Sequence, residues 1–143
     1  MFIIENNKSI SFKVSSYQFP KAKSSNDEYD ANWLICEIKY SEDDFSQIYK
    51  DACLLTYELE DLINSLSKIL VGDENSYISD FMEPYLQISI AKAEEKVMFI
   101  VHFVYDTSGG IWKKRKVAAL VEKEYATQIL DELRELQKVY PQR

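Results

Sequence analysis

Asp30-Ala31-Asn32-Trp33-Leu34-Ile35-Cys36-Glu37-Ile38-Lys39-Tyr40 is the stretch whose reading decides the fold. Asp30 to Asn32 has turn chemistry, and the eight residues after it alternate as a strand. Leu34, Cys36, Ile38 and Tyr40 fall on one face, expected to meet the core; Trp33, Ile35, Glu37 and Lys39 fall on the other, expected to be half covered at most. Downstream, Ser41-Glu42-Asp43-Asp44 reads as a four-residue connection to a returning strand from Phe45 towards Ala52. In that register Cys36 lies opposite Tyr49 rather than Cys53. A disulfide is therefore not expected, and Cys36 and Cys53 read as two reduced core thiols.

Working outward, residues 2–4 and 10–14 read as short strands joined by Asn6-Asn7-Lys8. Pro20 ends the second because it cannot donate to a ladder. Residues 21–29 are polar loop. Thr56 is expected as the N-cap of a helix whose Leu59, Leu62, Ile63, Leu66, Ile69 and Leu70 form one apolar stripe, closed by Gly72. Tyr77 to Phe81 is a weak strand. Leu86, Ile88 and Ile90 alternate with Gln87 and Ser89. Val97 to Tyr105 is almost continuously apolar, which predicts a strand covered on both faces. Val117 to Val121 returns after Ser108-Gly109-Gly110 as another buried strand. A last helix runs from about Lys123 to Lys138, with Ala126, Ile129, Leu130, Leu133, Leu136 and Tyr140 as its stripe. The order ββββαββββα with short connections predicts an α+β fold: a single curved antiparallel sheet of seven to eight strands carrying two amphipathic helices, in one domain over residues 1–143.

Composition narrows the function classes. Of 143 residues, 46% are hydrophobic and 13% aromatic, enough for a packed globule and too apolar for disorder. No apolar run is long enough to span a bilayer. Met1-Phe2-Ile3-Ile4-Glu5 lacks the basic start of a signal peptide, so a cytoplasmic location is expected. Net charge is −7, and residues 27–61 hold eleven acids against two bases. This balance argues against nucleic acid as a direct ligand and suits a basic protein partner. No membrane partner is expected.

No residue set carries visible chemistry, and no cofactor or metal is implied. His102 is the chain's only histidine and has no evident orienting partner, so it reads as a packed or edge residue. Gly109-Gly110 lacks the pattern of a phosphate loop. Lys113-Lys114-Arg115-Lys116 beside Trp112 reads as a soluble hairpin arm. An enzyme is not expected. The candidate partner-binding residues are the acids Asp27, Glu28, Asp30, Glu42, Asp43, Asp44, Glu60 and Asp61. Of these, Glu42, Asp43 and Asp44 are placed at an exposed hairpin tip of which the fold asks little.

Three segments give a further lead: Tyr17-Gln18-Phe19-Pro20 with Tyr29-Asp30-Ala31-Asn32-Trp33-Leu34; Cys53-Leu54-Leu55-Thr56-Tyr57-Glu58-Leu59; and Glu83-Pro84-Tyr85-Leu86. Their order and spacing resemble the WapI-like family of bacterial immunity proteins. The resemblance covers roughly residues 1–105, and the last third by length and closing helix. It implies a protein that neutralises a cognate toxin domain carried by a large cell-surface or contact-delivered protein, as in contact-dependent inhibition. Toxins associated with such families include nucleases, some directed at transfer RNA. It also implies that Asp30 and Asn32 shape a turn and that Trp33 packs. The alternative is a small-molecule-binding or metabolic protein using the curved sheet as a ligand cup.

Overall fold

The computed structural model describes residues 1–23 and 28–143. Its elements are β1 (Phe2–Glu5), β2 (Lys8–Tyr17), α1 (Glu28–Asn32), β3 (Trp33–Glu42), β4 (Phe45–Leu55), α2 (Thr56–Val71), β5 (Ser76–Ile78), β6 (Leu86–Ala93), β7 (Lys96–Asp106), a 3-10 turn (Ser108–Gly110), β8 (Lys113–Glu122) and α3 (Lys123–Val139). The class is α+β, as expected. The architecture is not a single curved sheet: the strands form two four-stranded antiparallel sheets, β1-β2-β3-β4 and β5-β6-β7-β8. β1 and β8 lie side by side without forming a ladder. There the Ala118 N–H is taken by the Glu5 carboxylate at 2.9 Å instead of by a neighbouring backbone carbonyl.

Three hairpins close through two-residue turns: Glu5 pairs with Lys8, Glu42 with Phe45 and Ala93 with Lys96. In each, the first turn residue (Asn6, Asp43 or Glu94) takes a positive φ. Asn and Asp tolerate that region because a short polar side chain can bond locally. The tighter turn corrects the β3–β4 register, since Cys36 now faces Asp51 rather than Tyr49. A bulge opposite Leu34 and Ile35 inserts an extra residue, so Cys53, Leu54 and Leu55 are buried in succession, which alternation alone would forbid. Both cysteines are free and buried, and the Cys36 thiol is pushed well above its ordinary value by its hydrogen bond with Cys53 and by burial.

The inward faces of both sheets and the apolar stripes of α2 and α3 merge into one hydrophobic cluster. Leu34, Cys36, Ile38 and Tyr40 are all in it, so the core-facing reading of β3 holds. Two strand readings do not. β7 buries Val97, Phe99, Val101 and Phe103 but leaves Met98, Ile100 and His102 part exposed, and β8 buries only Val117 and Ala119. No described layer covers the outer side of the second sheet, so these strands are one-sided despite their apolar composition. Other boundaries shift as well. β2 runs on to Tyr17 through a bulge between Val14 and Ser16, and β5 ends at Ile78.

Around Asp30 the expected turn is one turn of helix, α1, and its last residue explains the motif. Asn32 is fully buried, and its Oδ1 accepts from the Thr56 hydroxyl at 2.7 Å and from the Arg143 N–H at 2.9 Å. Its Nδ2 donates to the Arg143 carbonyl at 3.3 Å. Thr56 is thereby not the N-cap of α2. Leu55 takes that position, and its N–H is satisfied by Glu58 Oε2 at 2.8 Å. Gly72 closes α2 in the left-handed conformation, as its position predicts.

Asn32→Ala should lower stability by about 1–3 kcal/mol, because the Thr56 hydroxyl and the Arg143 N–H lose a buried acceptor. Leu34→Ala should cost about 2–5 kcal/mol by leaving a cavity under both sheets. Urea unfolding measures both, and wild-type stability in either variant would contradict the packing described.

Candidate functional site

Two of the three sequence segments that carry the resemblance come together in space. Gln18 and Phe19 from the first, Asp30 and Trp33 from its second half, and Glu83 and Tyr85 from the third line one groove of about 340 Å³, with Asp51 and Ala52 of β4 completing it. Ala52 directly precedes the remaining segment, Cys53 to Leu59. The groove therefore sets three carboxylates (Asp30, Asp51 and Glu83) among Phe19, Trp33 and Tyr85.

Local structure explains each placement. α1 ends at the start of β3, so Asp30 and Trp33 flank one junction. Asp51 is turned by accepting from its neighbour's backbone, the Ala52 N–H at 2.8 Å, and from the Tyr49 hydroxyl at 3.2 Å. Residues 79–85 are tied down by Glu58. One oxygen of that buried carboxylate takes the Met82 N–H at 2.6 Å while the other caps α2. Burial pushes the Glu58 carboxyl up, opposed by those two N–H donors and reinforced by Glu83 and Asp80. The Tyr85 ring stacks on Trp112 with centroids 5.6 Å apart and planes 11° off parallel, and meets Tyr49 at 5.9 Å.

Acidity continues from the groove around the start of α2. The Tyr77 hydroxyl is pushed up to about 12 by burial, then by Asp61, Glu58 and Asp80. Among the described residues no group of three or more His, Cys, Asp or Glu side chains gathers closely enough to hold a metal ion. The arrangement offers a cation two things: carboxylates to pair with and aromatic faces to lie against.

The expected partner-binding acids divide between two places. Asp30 is in the groove, and Glu60 and Asp61 are exposed in the first two turns of α2. Asp43 and Asp44 are exposed at the far end of the β3–β4 hairpin, about 30 Å away at the usual rise of a strand. Asp27 lies outside the described residues, and so does the side chain of Glu28. Sequence reasoning missed Asp51, Asp80 and Glu83, together with the aromatic walls. A signal for Glu83 and the aromatic walls was present, since two of the three quoted segments meet in the groove.

Glu42 corrects the picture of an undemanding hairpin tip. Its carboxylate accepts from the Tyr40 hydroxyl at 2.6 Å and lies 3.7 Å from Lys8 and 3.6 Å from Arg115. Arg115 in turn has its guanidinium 4.7–4.8 Å from the ring centroids of Tyr40, Phe45 and Tyr105. The run Lys113 to Lys116 is thus no uniform basic arm. Alternation in β8 sends Arg115 inward beside Val117, Lys113 is held by Asp106 at 2.7 Å, and Lys114 and Lys116 stay outside. His102 lies on the outer side of the second sheet. Its pKa is lowered by burial and by Lys116 and Lys114, so it is neutral at neutral pH. Gln87, at 3.5 Å, is its one hydrogen-bonding side chain among the described residues.

Glu42→Lys should destabilise the protein by about 1–3 kcal/mol, because it sets a cation against Arg115 and Lys8 and removes the acceptor of Tyr40. Asp44→Lys should stay within about 0.5 kcal/mol, as exposed substitutions do. Thermal unfolding of the two single variants separates them, and equal stabilities would count against the Arg115 cluster.

No helix is long and apolar enough to cross a membrane among the described residues. No curated protein and no solved structure matches the chain. One family does, and the match runs over residues 1–141, taking in the groove, both sheets and α3. The chain belongs to the Immunity protein WapI-like family.

Proposed function

We propose that this protein neutralises a cognate toxin domain by binding it, without catalysis, and that the acidic, aromatic groove around Asp30, Asp51 and Glu83 is the centre of the contact surface. The observation that carries the reading is the meeting of two of the three family segments at one exposed concavity, with the remaining one beginning directly after its Ala52. Asp61, whose charge reaches Tyr77 together with those of Glu58 and Asp80, and the exposed Glu60 are further candidate contacts. The partner this surface fits is basic, as a nuclease domain with a groove for RNA would be. Lys and Arg side chains of such a domain would find carboxylates to pair with and the faces of Trp33 and Tyr85 to lie on. Opposite fields would also speed encounter, in a salt-dependent way. Asp43 and Asp44 at the hairpin tip are a second candidate contact, separate from the first. Asp27, which precedes α1 in sequence, and Glu28, its first residue, are kept as candidate contacts on their charge alone.

The alternative of a ligand cup inside the sheets has less in its favour. Their inward faces are filled by the side chains of α2 and α3.

The test is association with the toxin domain together with growth rescue on co-expression. Reversing Asp30, Asp61 and Glu83 to Lys should slow association by about tenfold or more and abolish rescue, with the wild-type rate falling as salt rises. Reversing Asp43 and Asp44 should leave both nearly unchanged. The opposite pattern would move the interface to the hairpin tip, and loss of neither would remove acidic steering altogether.

A further inference from the structure

A second concavity lies on the other sheet, across the 79–86 segment from the acidic groove: Glu83 and Tyr85 line the groove, and Asp80, Pro84 and Leu86 line this one. The register of β6, β7 and β8 aligns Gln87, His102 and Lys116 in one row across three strands, with Lys114, two residues earlier in β8, opposite Val104. The segment between β5 and β6 closes over the end of this row and leaves a pocket of about 520 Å³. Ser79, Asp80, Gln87, His102, Phe103 and Lys114 are among its lining residues.

The polar groups here are mostly donors. Lys114 and Lys116 have no ion-pair partner among the described residues, while Lys113 beside them is taken by Asp106. The buried Ser79 hydroxyl accepts from the Ile88 N–H at 2.8 Å, which leaves its own proton to give. The Gln87 amide and the His102 ring complete the set, and their 3.5 Å contact is long enough to leave both available to a third group. Asp80 is the one carboxylate on the wall. Its field reaches Glu58 and Tyr77, and it does not figure among the charges acting on His102, which are Lys116 and Lys114. The pocket is therefore polarised, with uncompensated positive charge at its β7–β8 side in a chain of net charge −7.

We propose that this pocket binds a small oxyanion, a phosphate or carboxylate group held by Lys114 and His102 and contacted by Gln87 and Ser79. The apolar wall at Phe103 would take the body of the molecule that carries the anion. The pocket shares no lining residue with the acidic groove, although the 79–86 segment borders both.

Because His102 is the only histidine, its ring proton gives one resolved signal for an NMR titration. A bound anion stabilises the imidazolium, so its apparent pKa should rise. Screening of the lysines by salt would also raise it, so the comparison is made at constant ionic strength in chloride. Replacing chloride with inorganic phosphate should raise the pKa of His102 by about one unit if the anion seats beside the ring. Acetate in a parallel series distinguishes a carboxylate site from a phosphate site. Lys114→Gln should abolish the anion-dependent increment, whereas Lys138→Gln on α3 should keep it. No increment with either anion would overturn the proposal, and so would an equal increment in the Lys114→Gln protein.

Discussion

A buried carboxamide has to be satisfied on both its ends, and in this protein that requirement joins four stretches of chain. Asn32 meets it only when the end of α1, the first turn of α2 and residue 143 are all in place. Arg143 then reaches further, donating to the carbonyls of Phe19 and Pro20 while its guanidinium lies 3.4 Å from the centre of the Tyr17 ring. Tyr17 closes the circuit by donating to the Pro141 carbonyl at 2.6 Å. The cost of leaving any of these groups unpaired holds the chain's early loop and its final residues against the strand that anchors the first sheet. Phe19, Asp30 and Trp33 are positioned as a by-product, and with them one wall of the groove.

The two sheets are joined by side chains where backbone pairing stops. On one side the Glu5 carboxylate stands in for a backbone acceptor of Ala118. On another, Arg115 from the second sheet enters a cage of Tyr40, Phe45 and Tyr105 and faces Glu42, bringing Tyr40 and Phe103 within 5.7 Å across the join. Its Nε is the one buried side-chain nitrogen or oxygen without a partner among the described residues, so ring contacts and the Glu42 charge carry this cluster. Charge is sorted by the same arrangement. Acids collect where β4, α2 and the 79–85 segment meet, and the lysines that Arg115 leaves behind collect on the outer side of β8. Charges gathered in separate patches present different fields to different partners, which net charge alone does not describe.

Much of the fold was legible in the residues. Strand alternation in β3, the gapless stripe of α2, Gly72 as its stop and the stripe of α3 all depend on local periodicity, and local periodicity is what a sequence states directly. The errors came where local rules compete. Two-residue turns at Asn6 and Asp43 won over longer ones because Asn and Asp accept a positive φ. The bulge at Cys53 placed three consecutive residues inside.

The sequence by itself determined the order of the strands and of the two long helices, the apolar faces of β3, α2 and α3, and the family to which the chain belongs. Tertiary structure alone decided that the strands divide into two sheets, because a join made by Glu5 and Arg115 side chains leaves no periodic trace. It also decided which of the acids share a groove. Asp30, Asp51 and Glu83 are far apart along the chain and adjacent on one groove, whereas Glu42, beside Asp43 and Asp44 in sequence, is drawn away from them into a cation and aromatic cluster. Spacing along a chain tells which side of an element a residue takes; only the packing of elements tells which charges share a surface.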